Sequence, residues 1–150
     1  VTLARCRQVR AVRGYDAVVV GSPIWMGKWL KPAQRFLLQH QQALAQMPLA
    51  CFCTSLSVAS DDEAERRALT EKCIPAILAS TPALQPLDFA SFAGVLNYPK
   101  YNPLLRAAMR SLMKRGGHPT EGAHDFRDWQ AIRAWARRIH EDFVQHIPPG

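Results

Sequence analysis

Two tryptophans follow a run of valines, and their placement favours contact with a flat aromatic ligand. Residues 18–20 are three consecutive valines, which predicts a short strand buried on both faces. The Gly-Ser-Pro sequence at residues 21–23 is predicted to end that strand, and Trp25 and Trp29 lie in the turn that follows. In open α/β sheets, ligands bind outside the carboxyl ends of the strands. Both side chains would either contact such a ligand or only cover the core, and these residues alone favour neither interpretation.

A second strand with a polar turn repeats this arrangement. Residues 49–54, with the sequence LACFCT, predict a buried strand, and the hydroxyl-rich residues 54–57 follow it. Two neighbouring turns of this kind are able to hold one ligand between their backbone N–H groups and hydroxyls. The alternative is that the serines and the threonine only end the strand.

The order of predicted elements indicates a parallel sheet with helices on both faces. Strands are predicted at residues 1–6, 18–20, 49–54 and 89–95, and helices at 30–47, 60–80, 103–113 and 129–147. The helix at 60–80 begins with a capping box and contains Pro75, and Asp128 is predicted to cap the last helix. Alternation of strands and helices is typical of the α/β class, and 150 residues suit one domain spanning residues 1–150.

The charge and the cysteine content limit which ligands and metal ions the chain is expected to bind. The net charge of +7 favours an anionic partner, but no nucleic-acid-binding motif accompanies it, so nucleic acid is not expected. The four cysteines form no Cys-x-x-Cys pair and have no clustered histidines, so a metal site is not expected. No apolar run is long enough to span a membrane.

Residues 96–117 are basic and contain no acidic residue. A short helix at residues 103–113 combines apolar side chains, including Leu104, Leu105 and Leu112, with arginines. Basic and apolar sides on one helix suit an anionic membrane surface or an acidic ligand. The alternative is an ordinary helix that packs on the core and leaves its basic side in water.

Two stretches carry a resemblance to a known family. The segment YDAVVVGSPIWMGKWLKPAQRFL is similar to the third strand, flavin-contacting loop and third helix of the flavodoxin-like fold. The segments FAGVLNYPKYNPLLRAAMRSLMKRGG and DFRDWQAIRAWA resemble the flavodoxin-domain family that includes menaquinone-dependent protoporphyrinogen dehydrogenase. The basic insertion at about residues 96–127, before the last helix, is a distinguishing feature of that family. The resemblance covers residues 1–147.

The resemblance implies FMN at the carboxyl edge of the sheet, with backbone N–H groups near Ser55 and Gly27 facing its ring. It implies oxidation of a porphyrinogen-type substrate, protoporphyrinogen IX, with electrons passed to a quinone by a cytoplasmic protein in peripheral contact with the inner membrane. By position, the cofactor-binding residues would be Ser22, Pro23, Ile24, Trp25, Met26, Gly27, Lys28, Thr54, Ser55, Leu56 and Ser57. Membrane or substrate anions would contact Lys100, Arg106, Arg110, Lys114 and Arg115. No catalytic acid or base is assigned, although His118 and His124 would be available for proton transfer.

The chain departs from the family at its start. The family begins with a central strand and a Thr/Ser-Gly turn that binds the FMN phosphate at a helix N-terminus. Residues 1–15 do not match that pattern, so the sheet is predicted to be incomplete at the N-terminus, with the gap beside the valine strand. Two other functions therefore stay open: a small electron-transfer flavodoxin, and a chain not competent to bind FMN. Whether the chain forms a homo-oligomer is also open.

Overall fold

A four-stranded sheet forms the centre of the protein in the computed structural model, which describes residues 1–59, 64, 68, 69, 71 and 74–147. The strands are β1 Val18–Trp25, β2 Lys28–Trp29, β3 Leu49–Thr54, β4 Asp88–Phe92, β5 Val95–Asn97 and β6 Ala123–Asp125. The helices are α1 Lys31–Leu44, α2 Ile74–Ala79, α3 Pro103–Arg115 and α4 Trp129–His146. The main sheet has the order β2-β1-β3-β4, and β5 pairs with β6 in a separate two-stranded sheet.

The three long strands are parallel, and helices cover both faces of the sheet, as predicted. Side chains alternate along β3: Cys51 and Cys53 face the core formed with α1, whereas Phe52 faces α4. Phe36 and Leu37 of α1 fill the first core. The α/β class and the predicted bounds of β3 are confirmed.

The N-terminal segment corrects one prediction. Residues 1–6 do not form a strand: Val1 and Leu3 are fully exposed, and a 3₁₀ turn occupies Cys6–Gln8. A strand requires a neighbour for its backbone groups, and this segment has none within the described chain. On the side of β1 that faces away from β3, pairing with β2 begins only at Ile24, so residues 18–23 form an open edge among the described residues.

The first strand is also longer than its sequence suggested. Residues 21–23 do not end β1: they pair with residues 52–54 of β3, and the strand continues to Trp25. Pro23 is tolerated because β1 has a hydrogen-bonded neighbour on only one side along this stretch. Val19 is exposed, so the strand is not buried on both faces along its whole length.

The insertion has a small core of its own. The strand predicted at residues 89–95 is two strands, β4 and β5, separated at Ala93 and Gly94, and β6 lies in a stretch for which no strand was predicted. Leu96, Tyr98 and Met109 are buried together between this hairpin and α3. The capping box predicted at residue 60 lies outside the described residues.

Helix α4 is joined to the sheet by a polar contact. The Asp128 side chain accepts hydrogen bonds from the N–H groups of Gln130 and Ala131 and caps the helix, as predicted. Trp135 Nε1 donates to Asp88 Oδ2 at 2.7 Å, and Arg138 forms an ion pair with the same oxygen. Trp129, the first residue of α4, is exposed, because it lies in the first turn, beyond the sheet-facing core.

Candidate functional site

The two turns that were expected to bind one ligand lie side by side. Pro23 of β1 and Thr54 of β3 are register partners in adjacent parallel strands. Trp25 follows Pro23 by two residues and Ser55 follows Thr54 by one, so both turns leave the same edge of the sheet. The arrangement excludes placement of Trp25 and Ser55 on opposite sides of the molecule.

A tight hairpin presents Trp25. Trp25 and Lys28 are paired, so Met26 and Gly27 form a two-residue turn. Both have positive φ, 50° and 73°, as a type I′ turn requires. The pairing fixes the backbone of Trp25 at the edge of the sheet, and the residue is 47% exposed, so its indole offers a flat apolar surface there.

The second tryptophan has a different role. Trp29 is 2% exposed and packs in the core, where its ring centroid lies 5.8 Å from that of Phe89. Of the two interpretations of Trp29, the structure therefore supports core packing, not ligand contact. Ser22 is also buried: its hydroxyl donates to Pro23 O and accepts from Leu30 N at 3.1 Å. The Ser22 hydroxyl therefore connects the residues just before the hairpin turn to Leu30 just after it, and helps to hold the turn in place.

The second turn is rigid and connected to the insertion. Ser55 N–H donates to Phe92 O at 3.0 Å, and Ser55 Oγ accepts from Ser57 N at 3.2 Å. The Ser55 N–H itself is therefore taken by β4. That other N–H groups near Ser55 face a cofactor ring stays a prediction. Leu56 packs on the insertion core with Tyr98 and Met109. The insertion thus lies directly beside the predicted ligand turns.

These residues fit one part of FMN. An exposed indole beside a hydroxyl-rich turn suits the flat ring of a flavin. The phosphate has no corresponding group among the described residues, because the residues that precede α1, α3 and α4 are Leu30, Asn102 and Asp128, and none of these helices begins with a Thr/Ser-Gly turn. The described chain therefore supplies residues for the ring and no recognisable cradle for the phosphate.

A feature missed by the sequence analysis is a cavity beside the first turn. Its volume is about 350 Å³, and its lining includes Arg5, Arg7, Gly21, Ser22 and Leu30. The closely spaced basic residues before β1 were a signal for this cavity, but the sequence did not reveal that the segment folds back beside residues 21–23.

The five basic residues of the insertion divide into two groups. Arg106 donates to the carbonyl oxygens of Tyr98, Pro99 and Tyr101, and Arg110 donates to Thr120 O and pairs with Glu121. These two guanidinium groups therefore stabilise the insertion. Lys100, Lys114 and Arg115 make no ion pair or hydrogen bond with a described residue and remain available for an anion.

Nucleophilic and proton-transferring groups are sparse. Burial raises the pKa of Cys51 to about 12, so this thiol is protonated at neutral pH and is a core residue. His124 lies in β6, where its Nε2 is 2.7 Å from Glu121 O and its ring stacks on Phe126. It is therefore part of the insertion's structure and not a solvated loop residue. No group of His, Cys, Asp and Glu side chains in the described part of the chain could hold a metal ion.

The fold and the adjacent strand-end turns define the class of protein. The profile of the Flavodoxin domain family matches residues 1–122, and the chain belongs to that family. It is 31% identical over 127 residues to protoporphyrinogen IX dehydrogenase (quinone) of Escherichia coli strain K12, a match that covers 83% of this chain and 68% of that protein. It is 29% identical over 126 residues to the protein of that name from Leishmania major, covering 81% and 52%.

Two further comparisons complete this description. No solved structure gave a significant match to the chain. Among the helices of the described residues, none has the length and apolar character needed to cross a bilayer.

Proposed function

We propose that the chain is an FMN-dependent oxidoreductase that oxidises protoporphyrinogen IX to protoporphyrin IX and passes the electrons to a quinone at the inner surface of the cytoplasmic membrane. The observation that carries the proposal is the register of Pro23 with Thr54, which brings the exposed Trp25 and the Ser55 turn to one edge of the sheet. The family membership and the names of the similar proteins support the same chemistry.

The chain's own contribution is to bind and orient the ring. Trp25 provides a flat apolar surface, and the paired hairpin fixes its position. Ser22 holds the base of that hairpin, and Ser55 holds the second turn against β4. When bound, FMN supplies the capacity to accept a hydride from the substrate and to release the electron pair to a quinone.

Charge on the insertion supports an anionic substrate. A porphyrinogen carries propionate groups, which cations attract. Lys100, Lys114 and Arg115 are exposed cations on the structure that packs against Leu56 of the second turn. A carboxylate-bearing substrate drawn to the insertion would therefore be close to the turns, whereas a simple electron carrier needs no such segment.

Titration of the purified chain with FMN tests cofactor binding. We expect quenching of FMN fluorescence, weakened on the order of tenfold in Trp25→Ala because a stacked aromatic surface is lost. Trp129→Ala is the matched control, since Trp129 is 48% exposed but belongs to α4 and to neither turn. Failure of the wild-type chain to quench FMN, or equal weakening by both variants, would contradict the proposed ring site.

An anaerobic assay with protoporphyrinogen IX then tests the reaction. Loss of the oxidised-flavin absorbance and the appearance of porphyrin fluorescence are the expected results, with flavin absorbance restored by a quinone. Reduction of the flavin by dithionite without any reduction by protoporphyrinogen would favour the electron-carrier function instead.

A further inference from the structure

The N-terminal segment folds back on the body of the protein and brings two arginines to the cavity beside β1. Val12 is 2% exposed, and Cys6 and Val9 pack on the same core. Arg5 and Arg7 are the sequence neighbours of Cys6, so the packing of Cys6 holds both of them at the wall of this cavity. Neither guanidinium group forms a hydrogen bond or an ion pair with a described residue. Two cations are therefore available to a ligand in the cavity.

The open edge of β1 directs a backbone donor toward the same cavity. Val18 N–H donates to Pro48 O at 3.0 Å, on the side of β3. Backbone groups of successive strand residues point to alternate sides, so the N–H of Gly21, three residues later, points away from β3. Gly21 lines the cavity, and pairing with β2 begins only at Ile24, so this N–H has no acceptor among the described residues. A ligand with oxygen acceptors would supply one.

The surroundings of the cavity are positively charged. The first turn of α1 lines the cavity through Pro32 and Ala33 and contains no acidic residue, so the positive end of the helix dipole is not compensated there. Asp16 is the only acidic residue among residues 1–59. The basic residues of the same range are Arg5, Arg7, Arg10, Arg13, Lys28, Lys31 and Arg35. An anion is therefore attracted to the cavity, and a dianion is attracted more strongly than a monoanion.

We propose that this cavity is a binding site for a phosphate monoester. Such an ester carries nearly two negative charges at neutral pH and three terminal oxygens, which suffice for both guanidinium groups and the Gly21 N–H. A carboxylate has one charge and two oxygens. The lining also includes Leu30, Pro32 and Ala33, and these apolar side chains suit the organic part of the ester. A volume of about 350 Å³ is at the lower end of the range of small-molecule sites, ~300–1,000 Å³.

Two sources of phosphate have this chemistry. One is FMN, whose phosphate would then be held by side-chain guanidinium groups in place of a Thr/Ser-Gly turn. Trp25 follows Gly21 by four residues, about 13 Å along β1, so the cavity and the exposed indole lie on one strand. With FMN as the source, the inference rests on the proposed function. The other source is a separate small phosphate ester, and in that case the site is independent of the flavin.

Calorimetric titration with phenyl phosphate, without FMN and at ~0.15 M ionic strength, tests the proposal. We expect the wild-type chain to bind phenyl phosphate, and Arg5→Gln/Arg7→Gln to weaken binding by about tenfold for each arginine removed. Arg10→Gln/Arg13→Gln is the matched control, since it removes the same charge from the same segment but neither residue lines the cavity. Screening by salt should keep the control within about twofold of wild type.

A conservative variant separates hydrogen bonding from charge. Arg5→Lys/Arg7→Lys retains both charges but loses the guanidinium forks, so its affinity for phenyl phosphate should lie between those of the wild type and the glutamine variant. Far-ultraviolet circular dichroism and the thermal midpoint without ligand should be unchanged in every variant, because all four arginines are exposed.

Titration with FMN and with riboflavin, which lacks the phosphate, identifies the source. If FMN supplies the phosphate, Arg5→Gln/Arg7→Gln should weaken FMN binding by the same factor as phenyl phosphate binding and leave riboflavin binding unchanged. If the ester is separate, FMN and phenyl phosphate should bind together, and the affinity for FMN should not change in the variant. Failure of both flavins to bind would refute the proposed ring site and leave the phenyl phosphate result as it stands.

Three results would overturn the phosphate site. The first is a wild-type chain that does not bind phenyl phosphate. The second is equal weakening of phenyl phosphate binding by the Arg5/Arg7 and the Arg10/Arg13 double variants, which would reduce the effect to overall charge. The third is displacement of phenyl phosphate by acetate as effectively as by inorganic phosphate at equal ionic strength.

Discussion

A single methyl group added at Gly21 should disturb the packing beneath the candidate site. Gly21 is the register partner of Phe52, and a Cβ built at Gly21 would lie 2.1 Å from Phe52 Cζ and 2.3 Å from Cε1. The ring cannot turn away freely, because it packs edge-on against Trp135 at 5.8 Å and against Phe92 at 6.1 Å between centroids. Gly21→Ala is therefore an overpacking substitution and should lower the free energy of unfolding by about 1–3 kcal/mol.

Urea unfolding followed by circular dichroism measures this change, and a second substitution identifies its cause. Phe52→Leu removes part of the ring and should cost about 1–2 kcal/mol by itself. If the clash is with the ring, Gly21→Ala/Phe52→Leu should be more stable than the sum of the single effects by about 1 kcal/mol or more. Gly94→Ala is the control: its nearest atom is Thr54 Cβ at 3.9 Å, so it should change stability by less than about 1 kcal/mol. Additive single effects, or equal costs at Gly21 and Gly94, would refute the reasoning.

Four further outcomes are expected in the same unfolding assay. Asp88→Ala should cost about 2 kcal/mol because Trp135 Nε1 loses its acceptor, whereas Arg138→Ala should cost much less because that partner is exposed. Burial raises the pKa of Asp88, but the hydrogen bonds from Arg138 and Trp135 outweigh this effect, and the net pKa is lowered from 3.8. The Asp88 carboxylate should therefore contribute fully to the free energy of unfolding above about pH 4–5, and this contribution should be lost as the pH falls through the folded pKa. The pH dependence should be absent in Asp88→Asn. Met26→Asn should stabilise by about 0.5–1 kcal/mol, since asparagine tolerates the positive φ better, and a loss of stability would contradict the type I′ assignment. Arg106→Lys should cost about 1–2 kcal/mol because an ammonium group cannot reproduce the fork that binds three carbonyls, and an unchanged midpoint would disprove that role.

Hydrophobic patterns within a short stretch of sequence predicted the strand whose formation depends on that stretch alone. Residues 49–54 are a continuous apolar run, and the strand occupies that range. The alternation of Cys51 and Phe52 between two cores follows from the two-residue repeat of a strand. Residues 1–6 begin with the β-branched Val1 and Thr2 but form no strand, because pairing depends on a neighbour that their own sequence does not specify.

Which of the two tryptophans is buried could have been predicted from the sequence, although the hydrophobic pattern alone did not show it. Recognition of Met26-Gly27 as a two-residue hairpin turn fixes the register, which pairs Ile24 with Trp29 and Trp25 with Lys28. Side chains of paired residues share a face, so Trp29 joins Ile24 in the core and Trp25 joins Lys28 outside it.

The roles of the arginines were not predictable from sequence. Arg106 and Arg110 differ from Lys114 and Arg115 in having backbone carbonyls, and for Arg110 also the Glu121 carboxylate, within reach. Those carbonyls belong to turns on either side of the helix, whose positions depend on the packing of Tyr98 and Met109. Charge alone therefore predicted five equivalent cations, whereas the tertiary structure separates stabilising residues from available ones.

The insertion is in contact with the second turn of the candidate ring site. Leu56 packs in the insertion core, Ser55 N–H bonds to Phe92 O at the end of β4, and Phe126 N–H bonds to Gly94 O just beyond it. These contacts connect the insertion that contains α3 to the second turn. A surface that binds α3 would therefore set the orientation of that turn. We expect vesicle binding to alter the fluorescence of an FMN ring held there, and unchanged flavin emission on docking would separate the lipid surface from the site.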